Sequence, residues 1–145
     1  MAQLNTKRIW IGALVGSIAW NIWSFFVNSI IMAKAYANAQ AANQLLKSPR
    51  YGYFIPVWII TLFILSLLAA WLYALLRDAL SPGPATALKL GLVLGFFAAF
   101  PVNFSIATWS PLDRYFPMMW LIDLWVGAIL ATYLAGWLYR PTEGE

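Results

Sequence analysis

Four apolar stretches, Ile9–Met32, Phe54–Leu76, Leu88–Thr108 and Phe116–Tyr139, govern what this chain can fold into. Each is near or above the ~20 residues that an α-helix needs to cross the hydrocarbon core of a bilayer. A spanning segment finds no water for its backbone, so it must close its own hydrogen bonds as a helix. Composition agrees: 63% of the residues are hydrophobic and only 10% are charged, against about 25% charged in an ordinary soluble domain. The connections are short. Leu80-Ser-Pro-Gly-Pro84 is a strong turn, with Pro84 suited to the first turn of the third span, and Trp109-Ser-Pro-Leu-Asp113 is a tight turn before the fourth. Short connections make antiparallel neighbours. The expectation is an all-α membrane protein, with residues 1–145 forming one compact antiparallel bundle of four transmembrane helices.

Residues 34–47 differ from the spans. They are rich in Ala and Gln, with Tyr36, Leu45 and Leu46 as bulky apolar residues, and are expected to be helical, either extending the first span or lying at the interface. Lys7 and Arg8 before an apolar run resemble the start of a signal peptide. The run exceeds the ~7–15 residues of such a segment, so an uncleaved first helix is expected. Lys7, Arg8, Arg77, Lys89 and Arg140 fall on the N-terminal side, and Lys34, Lys47, Arg50 and Arg114 on the other. That slight excess favours cytoplasmic termini. Trp10, Trp71 and Trp137 fall near one interface and Trp58 and Trp109 near the other, as an aromatic belt; Trp20, Trp23 and Trp125 lie deeper, as packing residues.

Small residues recur at helical spacing within the spans: Gly12 and Gly16 in the first, Ser66, Ala70 and Ala74 in the second, Gly91, Gly95 and Ala99 in the third, and Gly127, Ala131 and Ala135 in the fourth. In lipid, such seams let helices approach closely. They are expected to pack the bundle, the alternative being that one seam, Gly12/Gly16, faces a second subunit.

Asp123 is the acidic residue that lies well inside an apolar run. A carboxylate at a helix centre costs ~3 kcal/mol on insertion scales, so a partner or a hydrated cavity is expected beside it. Ser17, Asn21, Ser24 and Asn28 fall within about 60° of arc on the first span. Asn103 continues the seam of the third span and Asp123 begins that of the fourth, so both should face the interior. At ~1.5 Å per residue, Asp123, Asn103 and Ser24 lie about 10, 9 and 12 Å from the face bearing Lys34 and Arg114. Pro101 should kink the third span and add the freed Phe97 carbonyl to this layer. The candidate polar layer is therefore Asn21, Ser24, Asn28, Asn103 and Asp123. It either fixes helix register through hydrogen bonds or surrounds a small cavity that binds a cation or a proton. No basic residue shares its depth, so an ion pair within the chain would need Arg114 or Lys34 to reach inward.

Cys and His are both absent, which excludes disulfides, thiol catalysis, His-ligated haem and Cys/His zinc sites. The basic residues sit one or two at a time at span ends, which excludes a phosphate-binding patch for nucleic acid. General acid–base catalysis needs two tunable groups within reach, and one buried carboxylate does not supply them. The nucleotide-binding and hydrolase motifs are missing, as are the E-R-x-x-x-A-x-x-N pattern of small four-helix eicosanoid and glutathione enzymes, the pore motif of fluoride channels and the first-helix glutamate of small multidrug exporters.

Trp20-Asn-Ile-Trp-Ser-Phe-Phe-Val-Asn28, Ser48-Pro-Arg-Tyr51, Phe100-Pro-Val-Asn103, Trp109-Ser-Pro-Leu-Asp-Arg114 and Trp120-Leu-Ile-Asp-Leu-Trp125 together resemble a family of small uncharacterised bacterial four-helix integral membrane proteins. The resemblance spans nearly the whole chain. It implies the four-helix topology and a bacterial inner membrane, and implies no activity.

The functional expectations follow in order. The first is a non-enzymatic structural or accessory bundle, in a homo-oligomer or a larger membrane complex. The second is a small proton- or cation-coupled transporter or channel built on the Asp123 layer. The third is a lipid- or isoprenoid-binding protein. No cofactor or metal is expected. The expected partners are the bilayer, other membrane subunits or a second copy, and a bound lipid.

Overall fold

The computed structural model describes residues 4–141. Helix α1 (Thr6–Phe26) starts at Asn5, whose side-chain oxygen accepts the Arg8 backbone N–H at 3.1 Å. It runs into a single wider turn of π-type helix, Val27–Ile31, in which the Met32 N–H bonds the carbonyl of Val27 at 2.9 Å. Helix α2 (Ala33–Ala41) is short, and α3 (Phe54–Leu80), α4 (Pro84–Trp109) and α5 (Tyr115–Leu138) are long. Four helical stretches, the first counted as Thr6–Ile31, are long and apolar enough to cross a membrane. The molecule is therefore a multi-pass, all-helical membrane bundle.

The segment 34–47 is helical only to Ala41. Asn43 takes a left-handed backbone (φ 55°), and the Asn43 and Gln44 N–H groups turn back onto the carbonyls of Gln40 and Ala39 at 3.2 and 2.9 Å. This paired reverse bonding is a helix stop, and Asn is one of the few residues that tolerates it. The segment is thus neither a continuous extension nor one helix to Lys47. It is a short helix set off by a π turn, followed by irregular chain up to α3.

Helix α5 is the axis of the bundle: α4, α1 and α3 all pack on it, α1 and α3 pack on each other, and α3 meets α4 much less. Small residues set this arrangement. A Cβ added at Gly12 would come within 3.1 Å of the Ala135 backbone, and one at Gly16 within 3.0 Å of the Ala131 carbonyl. The Gly12/Gly16 seam therefore closes on α5 inside the chain, and the expectation that it might face a second subunit is corrected. On the opposite flank of α5, Gly91 lies against Ile129 and Gly95 receives the Trp125 ring. Ala99, Ala131 and Ala135 are buried, as are Ser66, Ala70 and Ala74 of α3. Gly127 leaves the space that the buried Trp20 indole fills.

Helices α3 and α4 are tied at one end. The Tyr73 hydroxyl accepts the Gly83 N–H at 3.1 Å, and the Thr86 hydroxyl donates to the carbonyls of Leu80 and Ser81 at 3.0 and 2.7 Å. At the same end the Asn5 N–H reaches the Tyr139 hydroxyl at 3.2 Å, and the Arg77 guanidinium lies 5.4 Å from the centre of the Tyr139 ring. Toward the other end, Phe54–Ile59 of α3 and Ala98–Ile106 of α4 stand on opposite walls of a cavity. Two departures from expectation follow on the α4 side. Pro101 and Phe97 lie on the exposed face, turned away from buried Asn103, and α4 runs through Pro101 as one helix.

The Trp20–Gly127 fit gives a direct test. Gly127→Val should overlap the indole and destabilise the bundle by about 1–3 kcal/mol, the usual cost of overpacking. Gly52→Ala, with open space around it, should leave the thermal unfolding midpoint in detergent unchanged.

Candidate functional site

Asp123 is 2% exposed, and its Oδ2 is the end point of two hydrogen-bond chains. In the first, the Trp120 indole donates to the Tyr36 hydroxyl at 2.7 Å, Tyr36 donates to Asn28 Oδ1 at 2.8 Å, and Asn28 Nδ2 donates to Asp123 Oδ2 at 2.7 Å. In the second, the Trp58 indole donates to Ser24 Oγ at 3.3 Å, and the Ser24 hydroxyl donates to the same carboxylate oxygen at 2.9 Å. An indole N–H can only donate, which fixes the first bond of each chain; in the structure the Tyr36 and Ser24 hydroxyls accept there and donate onward. Asp123 Oδ1 has no hydrogen-bond partner among the described residues. The Trp23 indole donates to the Asp123 backbone carbonyl at 3.1 Å and holds the same turn of α5 against α1. Burial pushes the Tyr36 phenol above its ordinary pKa, so it keeps its proton and its place in the chain.

Local structure places each member. The π turn widens the helix at Asn28, a feature often found at functional sites, and leads into α2, which carries Tyr36. The α2 residue Tyr36 also packs edge-on against Phe116 at the start of α5, with ring centres 5.4 Å apart. Helix α5 enters through Asp113, whose Oδ1 accepts the Tyr115 N–H at 2.8 Å.

These groups form the floor of a cavity of about 940 Å³, at the upper end of the ~300–1,000 Å³ usual for small-molecule sites. Its sides are the facing stretches of α3 and α4, and residues of α2 and of the chain leading to α3, including Gln40, Leu46 and Arg50, complete the wall. The lining is predominantly apolar away from the floor. Asp123 therefore has the cavity that its burial called for, and that cavity is far larger than a single ion requires.

The five expected residues all border this one cavity, but they do not form one network. Ser24 and Asn28 bond Asp123 directly. Asn21 turns back on its own helix, donating to the Ser17 carbonyl at 2.9 Å, and Asn103 does the same with the Ala99 carbonyl at 2.8 Å. Thr61 likewise donates to its own helix, at Val57, 2.8 Å away. Three participants were not foreseen. Tyr36 was read as an apolar residue, Trp58 as an interface anchor, and Trp120 was given no role. The available signal is chemical: an indole N–H can only donate and inward-turned ones tend to find an acceptor, although the buried Trp20 N–H finds none. Nothing in spacing alone reaches Tyr36, because it crosses the change of helical phase made by the π turn.

Among the described residues no three His, Cys, Asp or Glu side chains gather at metal-binding range. The one described ion pair joins the neighbours Arg77 and Asp78 at 3.7 Å, so no basic side chain reaches Asp123. The chain matches no known family model, no curated protein and no solved structure, and the site is read from its own geometry.

Tyr36→Phe removes the link between Trp120 and Asn28, which strands one donor and one acceptor at a cost of about 1–3 kcal/mol if both stay dry. In a double-mutant cycle with Asp123→Asn, the two losses should be non-additive by about 0.5 kcal/mol or more. Additive losses in unfolding free energy would break the chain as drawn.

Proposed function

We propose that this multi-pass membrane protein binds a membrane-soluble amphiphile in the cavity between α3 and α4, with the polar end of the ligand at Asp123. The observation that carries this reading is the combination of a large apolar-walled cavity with one buried carboxylate on its floor. The reading gives the third sequence expectation precedence over the first. A structural or accessory role keeps the support of the many aromatic residues and the short connections, but the small-residue seams of α1 and α4 close within the chain and offer a partner nothing. In this reading the protein binds without catalysing, since one carboxylate stands alone. A proton- or cation-coupled carrier is the second reading, favoured by the buried, unpartnered acceptor at Asp123 Oδ1.

Both the cavity and the layer sit toward the face that bears Lys34, Arg50 and Arg114. With cytoplasmic termini, as the charge bias favours, the site serves the outer leaflet of the membrane.

The test is native mass spectrometry of protein released from mild detergent. A bound amphiphile should survive release in the natural sequence. It should be lost in Ala98→Trp, which fills the cavity wall, while circular dichroism and the unfolding midpoint stay close to those of the parent. An adduct retained equally by Ala98→Trp would identify an annular lipid and overturn the reading.

A further inference from the structure

An alkyl chain that moves from the bilayer into an apolar cavity gains little from the hydrophobic effect, because lipid tails are as apolar as the protein wall. Selection among amphiphiles must therefore come from the polar floor. This inference rests on the cavity reading above and extends it to the head group.

The donors on the floor are almost all engaged. Ser24 and Asn28 donate to Asp123, Tyr36 to Asn28, Trp58 to Ser24 and Trp120 to Tyr36. Asn28 also donates to the Ser24 carbonyl at 2.9 Å, and the Asn21 amide is turned to Ser17. One N–H of Asn103 is left over, since its amide makes a single bond, to Ala99. The acceptors are not engaged in the same way. Asp123 Oδ1 accepts nothing while nine-tenths or more buried, and the side-chain oxygens of Asn21 and Asn103 accept no hydrogen bond from the described residues. Around Asp123 the donors are thus engaged and the acceptors are not, while the other donors of the lining, Ser29, Gln40, Ser48, Arg50 and Tyr51, make no hydrogen bond to Asp123. A carboxylate or phosphate placed at Asp123 would meet a second carboxyl group and one leftover amide N–H. The cation that lines the cavity, Arg50, is exposed in the chain between α2 and α3 and makes no ion pair with Asp123.

We infer that the head group this cavity takes at Asp123 is a hydrogen-bond donor, a primary ammonium on an alkyl chain, and not an anionic head. A primary ammonium brings three donors and no acceptor, and it supplies the counter-charge that the chain itself does not place beside Asp123.

The experiment uses the full chain in phosphatidylcholine nanodiscs at neutral pH, with 6-bromododecylamine, 6-bromododecanol and 6-bromododecanoate, whose bromine lies within reach of tryptophans beside the head group, as quenchers of tryptophan fluorescence. Trp58 and Trp120 border the cavity, so occupancy quenches saturably, whereas partition into lipid gives an unsaturable slope. The amine should saturate at about tenfold lower concentration than the alcohol, and the alcohol below the carboxylate. The protein's net charge of +4 opposes this order, so bulk electrostatic attraction cannot produce it. In Asp123→Asn the amine should lose its advantage and the alcohol should still saturate, which shows that the fold and the cavity persist. Saturation by the carboxylate at or below the amine concentration would overturn the head-group inference and leave the cavity reading standing. An amine preference undiminished in Asp123→Asn would also overturn it. Linear quenching by all three compounds would overturn the cavity reading, and the inference with it.

Discussion

The donor-only character of the indole N–H is the constraint on which the polar interior depends. Trp58 and Trp120 each begin a chain as donors, and both chains end on one oxygen of Asp123. Hydrogen bonds between membrane helices average only ~0.6 kcal/mol, so the value of this network lies less in stability than in specification. It joins α1, α2, α3 and α5 at one point and leaves the second carboxylate oxygen unpartnered. A buried polar group without a partner costs free energy unless something else satisfies it, and the cavity beside it is where a ligand can do so.

The fold makes that arrangement possible through an uneven use of small residues. Glycine and alanine let α1 and α4 close on opposite flanks of α5, so α5 carries Asp123 along the centre of the bundle. Helices α3 and α4 are pinned at their connecting turn by Tyr73 and Thr86 and meet little elsewhere. An antiparallel pair held at one end and kept apart at the other leaves a wedge, and the irregular chain between Asn43 and Phe54 borders its wide end. Tyr36 ties α2 to the carboxylate through Asn28.

Much of this was legible in the sequence, for identifiable reasons. Spans of ~20 apolar residues permit only helices, and Pro84 does open α4. Helical phase placed Asp123, Asn103 and the small residues on interior faces because each lies within one uninterrupted helix. The reading failed where phase was broken or where chemistry outranked position. The π turn at Val27–Ile31 moved Tyr36 out of any simple register, and the left-handed Asn43 ended α2 before Lys47. Trp58 sits at a depth typical of interface tryptophans, yet its N–H turns inward to Ser24. The cavity itself could not be read from the sequence, because it comes from how far apart two helices stand, which no periodicity encodes.

The most direct test of the central claim is the indole ¹H–¹⁵N spectrum of the protein in nanodiscs. If both chains terminate at the Asp123 carboxylate, Asp123→Ala should shift the Trp58 and Trp120 N–H resonances upfield together. Trp125, which donates to the Leu92 carbonyl at 3.0 Å, should stay in place. Unmoved Trp58 and Trp120 signals, or an equal shift at Trp125, would contradict the account.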